Sequence, residues 1–198
     1  RLSDLSLTVA DTALTGSADI ALGQGDTALS DLQTDFDLQL VAGNLARFAG
    51  LAGQPLGGAA DVTASGTVKP LTGAFALDLA GTAQDLRTGQ ARVDPLITGA
   101  SELVLQARRD ETGTRIDRFE IVTTGTDLRG SAVLRTDAST LDLTARLTDA
   151  GLVLDGISGP IALVLDADQQ GDTWQIALDA EAPGETVARL TGTVTGDG

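Results

Sequence analysis

Apolar and polar residues alternate with a period of two along most of this chain. A strand sends successive side chains to opposite faces, so the alternation predicts half-buried β-strands. Leu5, Leu7 and Val9 make the first apolar row, followed by Leu14, Gly16, Ala18, Ile20 and Leu22. Phe36, Leu38 and Leu40 alternate with Asp35, Asp37 and Gln39. Then come Ala60, Val62, Ala64 and Val68, the trio Phe75, Leu77 and Leu79, and the trio Leu103, Leu105 and Ala107.

The second half repeats the scheme. Its rows are Phe119 and Ile121; Leu128, Gly130, Ala132 and Leu134; Leu141, Leu143, Ala145 and Leu147; and Ile161, Leu163 and Leu165. Trp174, Ile176, Leu178 and Ala180 precede a last row of Ala188, Leu190, Gly192 and Val194. Ile116 lies three residues before Phe119 and breaks the parity, which predicts a bulge or bend.

Turn signals separate the rows at Gly23–Asp26, Asp110–Gly113, Thr136–Ser139 and Asp168–Asp172. Such short connections predict hairpins and meanders. About twelve strands follow, which laid side by side span ~60 Å.

Two stretches read differently. Leu45, Phe48 and Leu51 in Asn44–Ala52 have helical spacing, with Asn44 as N-cap and Gly53 as left-handed stop. Thr88–Ile97, with Pro95, reads as a short helical turn. Both are expected to act as lids on an open end of the sheet. Leu14-Thr15-Gly16-Ser17-Ala18, Leu128-Arg129-Gly130-Ser131-Ala132 and Leu190-Thr191-Gly192-Thr193-Val194 form a degenerate repeat. Its glycines share parity with the aliphatic residues, where they relieve crowding on a concave face.

The net charge of −15 comes from 28 acidic and 13 basic residues. It argues against nucleic-acid binding, which needs a basic surface, and against electrostatic docking on anionic lipid head groups. The chain has no Cys and no His. Disulfides, thiolate metal sites and the usual general base are therefore excluded. The lack of Cys fits an oxidising compartment such as the periplasm. The chain begins at Arg1, which reads as a segment, residues 1–198, of a longer protein.

Candidate chemistry is sparse. Asp166-Ala167-Asp168-Gln169-Gln170-Gly171 imitates the start of a calcium loop, but the position of the bidentate acid is Ala177, so a hairpin turn is the better reading. Asp35 and Asp37 alternate with core positions and point to solvent. Ser158 sits outside a Gly-x-Ser-x-Gly elbow, with no histidine to activate it. Lys69 precedes Pro70 in a loop and lacks a motif. No catalytic residue, metal or cofactor is expected, and the chain is not read as an enzyme.

The apolar rows admit two interiors. One is filled, as in a sandwich or closed barrel. The other is an open groove holding something greasy. With four Phe, one Trp and 24 Gly, little side-chain volume is available to fill an interior, which leans towards the groove.

The Leu-x-Gly-x-Ala strands, the helix Asn44–Ala52 leading to Leu56-Gly57-Gly58, the Arg108–Gly113 turn and Ile157-Ser158-Gly159-Pro160 together resemble the TamB (translocation and assembly module) and AsmA-like family, in its alphaproteobacterial form. The resemblance covers essentially the whole chain and is one of texture. It implies an elongated, curved antiparallel sheet folded into a trough. It implies a periplasmic bridge, anchored in the inner membrane, that carries phospholipid acyl chains towards the outer membrane. It also implies support of outer-membrane protein assembly with a barrel partner of the TamA type, docked through regions outside this segment. No catalytic residue carries over.

The rows map as groove lining: Leu5, Leu7, Val9, Ile20, Leu22, Phe36, Leu38, Leu40, Val62, Phe75, Leu77, Leu79, Leu103, Leu105, Phe119, Ile121, Leu134, Leu141, Leu143, Leu163, Leu165, Trp174, Ile176, Leu178, Leu190 and Val194. Two other roles use the same pattern. One is a structural spacer with a packed interior. The other is a chaperone surface that pairs unfolded barrel strands at its edges.

Overall fold

The computed structural model describes residues 2–21, 32–136, 138–152 and 156–196. Leu22, the Gly23–Asp26 turn signal and Asp137 of the Thr136–Ser139 turn lie outside the described residues.

Twelve strands form one antiparallel sheet whose spatial order is the sequence order. They are β1 (Leu2–Val9), β2 (Thr12–Ala21), β3 (Gln33–Ala42), β4 (Gly57–Lys69), β5 (Ala74–Arg87) and β6 (Ala100–Asp110). After them come β7 (Gly113–Thr123), β8 (Thr126–Leu134), β9 (Thr140–Leu147), β10 (Ile161–Gln170), β11 (Thr173–Ala182) and β12 (Thr186–Thr195). The sheet is not closed, and β1 and β12 are its edges.

The meander follows from tight connections. At the β6–β7 hairpin the Asp110 carboxylate accepts from the Thr112 amide at 2.7 Å and from its hydroxyl at 2.6 Å. This side-chain turn closes a two-residue loop. At the β10–β11 hairpin Gln169 pairs with Trp174 and Gln170 with Thr173, so Gly171-Asp172 is the turn and the calcium-like Asp168 lies in strand.

The expected parity break is a bulge in β7. Gln106 pairs with Arg118 and Ala107 with Ile116, which leaves Asp117 as the extra residue. The bulge keeps Ile116 and Phe119 on one face although they are three apart.

Asn44 caps as expected, its Oδ1 accepting from the Ala46 amide at 3.0 Å. The segment is less regular than its spacing predicts: a 3-10 turn over Leu45–Phe48 runs into α1 (Ala49–Ala52), which ends at left-handed Gly53. Leu51 is 90% exposed, so it does not help close the sheet. The second helical turn, α2 (Asp94–Ile97), starts with Pro95 in its first turn.

This architecture has no packed core. The only buried apolar residues among those described are Ala42, Ala132, Ala150 and Ala167, and no large side chain is fully buried. The accessible surface is 12500 Å² for a mass of 20.1 kDa. A compact monomer of that mass exposes roughly 8,700 Å². A filled sandwich or barrel does not fit that excess. Eleven ladders and their cross-strand apolar pairs hold the sheet instead, each pair contributing about 0.2–1 kcal/mol.

Candidate functional site

The registers place the apolar rows side by side. One line runs Leu5, Gly16, Leu38, Ala64, Leu79 and Leu105 from β1 to β6. It continues through Phe119, Gly130, Leu143, Leu165, Leu178 and Leu190 to β12. A second line starts at Leu7 and Leu14 and crosses Leu40, Val62, Leu103, Ile121 and Leu163. A third joins Phe36, Leu77, Ile116, Leu141 and Ile176.

Every described lining candidate falls on this one face. Val9, Ile20, Phe75, Leu134, Trp174 and Val194 flank the three lines. Exposure separates the middle from the edges. Leu38, Leu79, Leu105, Leu143 and Leu165 are half-buried, while Asp37, Asp78, Gln106 and Asp142 on the reverse face are exposed. At the edges Leu7 is 58% and Leu190 62% exposed.

The glycines report curvature. At Gly16, Gly66, Gly81 and Gly130, all on the aliphatic face, an added Cβ meets a backbone carbonyl of the neighbouring strand. Such close approach belongs to the concave side of a bent sheet. Gly192, on edge strand β12, has open space there.

One end of the face is lidded. The Ser101 hydroxyl donates to the Ile97 carbonyl at 3.2 Å and the Thr123 hydroxyl to the Leu96 carbonyl at 3.0 Å, which ties α2 over the ends of β6 and β7. Asp94 holds α2 in turn, accepting from the Thr88 amide at 2.7 Å and hydroxyl at 2.8 Å. Those bonds hold its carboxyl below the usual carboxylate range. A further 3-10 turn, Ala150–Leu152, is fastened by Asp149, which accepts from the Gly151 and Gly159 amides at 3.0 Å each.

Two cavities, of about 650 and 850 Å³, also lie at this end and share Val122 and Thr123. They mix aliphatic-face residues such as Ala42 and Leu147 with reverse-face Asp61 and Arg146. The middle of the rows lines neither cavity, as befits an open surface without an opposing wall.

The reverse face carries the ion pairs formed within the sheet, while Arg47 pairs with Asp11 outside the strands. Arg129 Nε meets Asp127 at 2.7 Å and Arg118 meets Glu120 at 2.8 Å, each along a single strand. Their side-chain hydrogen bonds lower the pKa of Asp127 and of Glu120. Among the described residues no three carboxylates gather around a cation-sized space. No described helix is long and apolar enough to cross a membrane.

Pattern reading missed one residue. Arg109 pairs with Phe75 on β5 and Thr114 on β7, so it shares the face of Leu103, Leu105 and Ala107. Its parity was visible in the sequence, but the Arg108–Gly113 run reads first as a turn. No known family model, curated protein or solved structure matches this chain.

Proposed function

We propose that this chain is a stretch of lipid-conducting trough, in which the aliphatic face shelters acyl chains from water. The observation that carries this reading is the line from Leu5 to Leu190, apolar at all twelve strands and with no large fully buried member. Burial of each acyl methylene contributes about 0.8 kcal/mol, so a continuous apolar path needs no chemical specificity. The reverse face, with Asp37, Asp78, Asp142 and Asp166 exposed, solvates the outside.

The resemblance to TamB and AsmA-like proteins supplies the setting of this proposal. It is a periplasmic bridge anchored in the inner membrane, carrying phospholipid towards the outer membrane and supporting barrel assembly with a TamA-type partner. The large accessible surface speaks against a spacer with a packed interior.

Photocrosslinking amino acids test the reading. Placed at Phe75 or Leu143, they are expected to capture phospholipid in the envelope. At Asp78 or Asp142 they are not. Equal labelling of both faces overturns the groove.

A further inference from the structure

The charges of the sheet are sorted by face with one exception. In the continuous registers, the aliphatic face carries Leu, Val, Ile, Phe, Ala, Gly, Thr, Ser and one each of Trp and Gln at its paired positions, and a single ionisable residue, Arg109. Its next-door residue Arg108 points to the reverse face and is bonded to Asp117 at 3.1 Å. Among the described residues no carboxylate lies within ion-pair reach of Arg109. Of the described residues, Lys69, Arg87, Arg92, Arg135 and Arg146 also lack an ion pair, but of these cations Arg109 alone stands at a paired position of the aliphatic face.

Position adds to this. Arg109 stands at the rim of the apolar face, one residue before the β6–β7 turn, with Phe75 on one side and Thr114 on the other. Down the same strand and face lie Ala107, Leu105 and Leu103, a run of ~20 Å at 3.3 Å per residue. A guanidinium at the head of an apolar track is the arrangement that fits an amphiphile with an anionic head. Its planar fork bonds two oxygens of a carboxylate or phosphate at once. The acids at the paired strand positions send their side chains to the other side of the sheet.

We propose that Arg109 is a head-group anchor: it binds the single anionic group, carboxylate or phosphate, of an amphiphile whose acyl chain lies along Leu105 and Leu103. This rests on the reading of the face as an acyl-chain groove and adds the charge and orientation of what the groove takes. Phosphate and carboxylate share the chemistry that matters, anionic oxygens on an alkyl chain that a guanidinium fork can bond in pairs.

The test uses cis-parinaric acid and its uncharged methyl ester as fluorescent probes, at pH 8, on the whole chain. The wild type should bind the acid about tenfold more tightly than the ester, the discrimination expected of one charge-assisted contact. Arg109→Gln should bring the acid down to the ester and leave the ester unchanged. Arg108→Gln should keep the preference. Dodecyl phosphate should displace the acid, and inorganic phosphate at the same concentration should not.

The failures separate. If neither probe binds the wild type, the groove reading falls. If both bind equally, or if Arg109→Gln keeps the preference, only the anchor falls. If Arg109→Gln weakens both probes alike, the residue shapes the face and anchors nothing. Displacement by inorganic phosphate alone marks an ion site, not an amphiphile site, and overturns the proposal too.

Discussion

Phe36 on β3 stands directly opposite Gly66 on β4, so an aromatic residue pairs across the ladder with a position that has no side chain. The glycine is there for a steric reason. A Cβ at Gly66 would meet the Ala76 carbonyl of β5.

Gly66→Ala is therefore expected to destabilise the sheet by about 1–3 kcal/mol, because the β4–β5 backbones must move apart. Gly192 lies on the same line of the aliphatic face, opposite Ile176, with nothing within 4 Å of an added Cβ. Gly192→Ala should be neutral or stabilise by up to about 1 kcal/mol through the unfolded chain. Urea-unfolding midpoints of the two variants distinguish the sites. Equal losses would show that curvature is not what selects glycine here.

A second contrast tests the two faces. Leu165 is half-buried between Leu143 and Leu178, whereas Val164 faces Thr144 and Asp179 on the other side. Leu165→Asp should cost about 1–2 kcal/mol by setting an unpaired charge among apolar neighbours. It should also abolish binding of the uncharged parinarate ester. Val164→Thr should stay within about 0.5 kcal/mol of wild type and leave probe binding intact. A Leu165→Asp variant that binds the ester normally would show that the line through Leu165 is not the path.

The α2 lid gives a pH prediction. The Thr88 amide and hydroxyl hold the Asp94 carboxyl below its ordinary value of 3.8. Between the folded and unfolded values the unfolded chain binds more protons, so stability rises with pH there. The stabilisation is complete above pH 3.8 and is lost as the pH falls through the lowered folded value. Asp94→Ala should thus be less stable than wild type at pH 6, and the gap should start to close as the pH falls below 3.8 and vanish below the lowered folded value. A gap that stays constant down to pH 2 would assign the effect of the variant to packing.

Much of this was legible in the residues. Alternation defined the strands, the spacing of Ile116 and Phe119 announced the β7 bulge, and the short Asp110–Gly113 and Asp168–Asp172 turns implied the meander. Less legible was the Asn44–Ala52 segment. Its spacing is helical, yet a stretch this short is held by its contacts, and Leu51 finds none. The Thr88–Ile97 turn was expected as a lid, but its fastening over Ser101 and Thr123 was out of reach, because the bonds to the Leu96 and Ile97 carbonyls join residues that only the fold brings together.

The sequence by itself determined that each strand has an aliphatic face, since side-chain parity is a local property of extended backbone. Arg109 shares the parity of Leu105, but only the continuation of β6 to Asp110 made it a position on that face. Whether the face closes into a core or stays open is not a local property. It depends on how far the sheet bends and whether its first and last strands meet. Only the tertiary structure decided that: β1 and β12 remain unjoined edges, and the aliphatic face has no packed core above it.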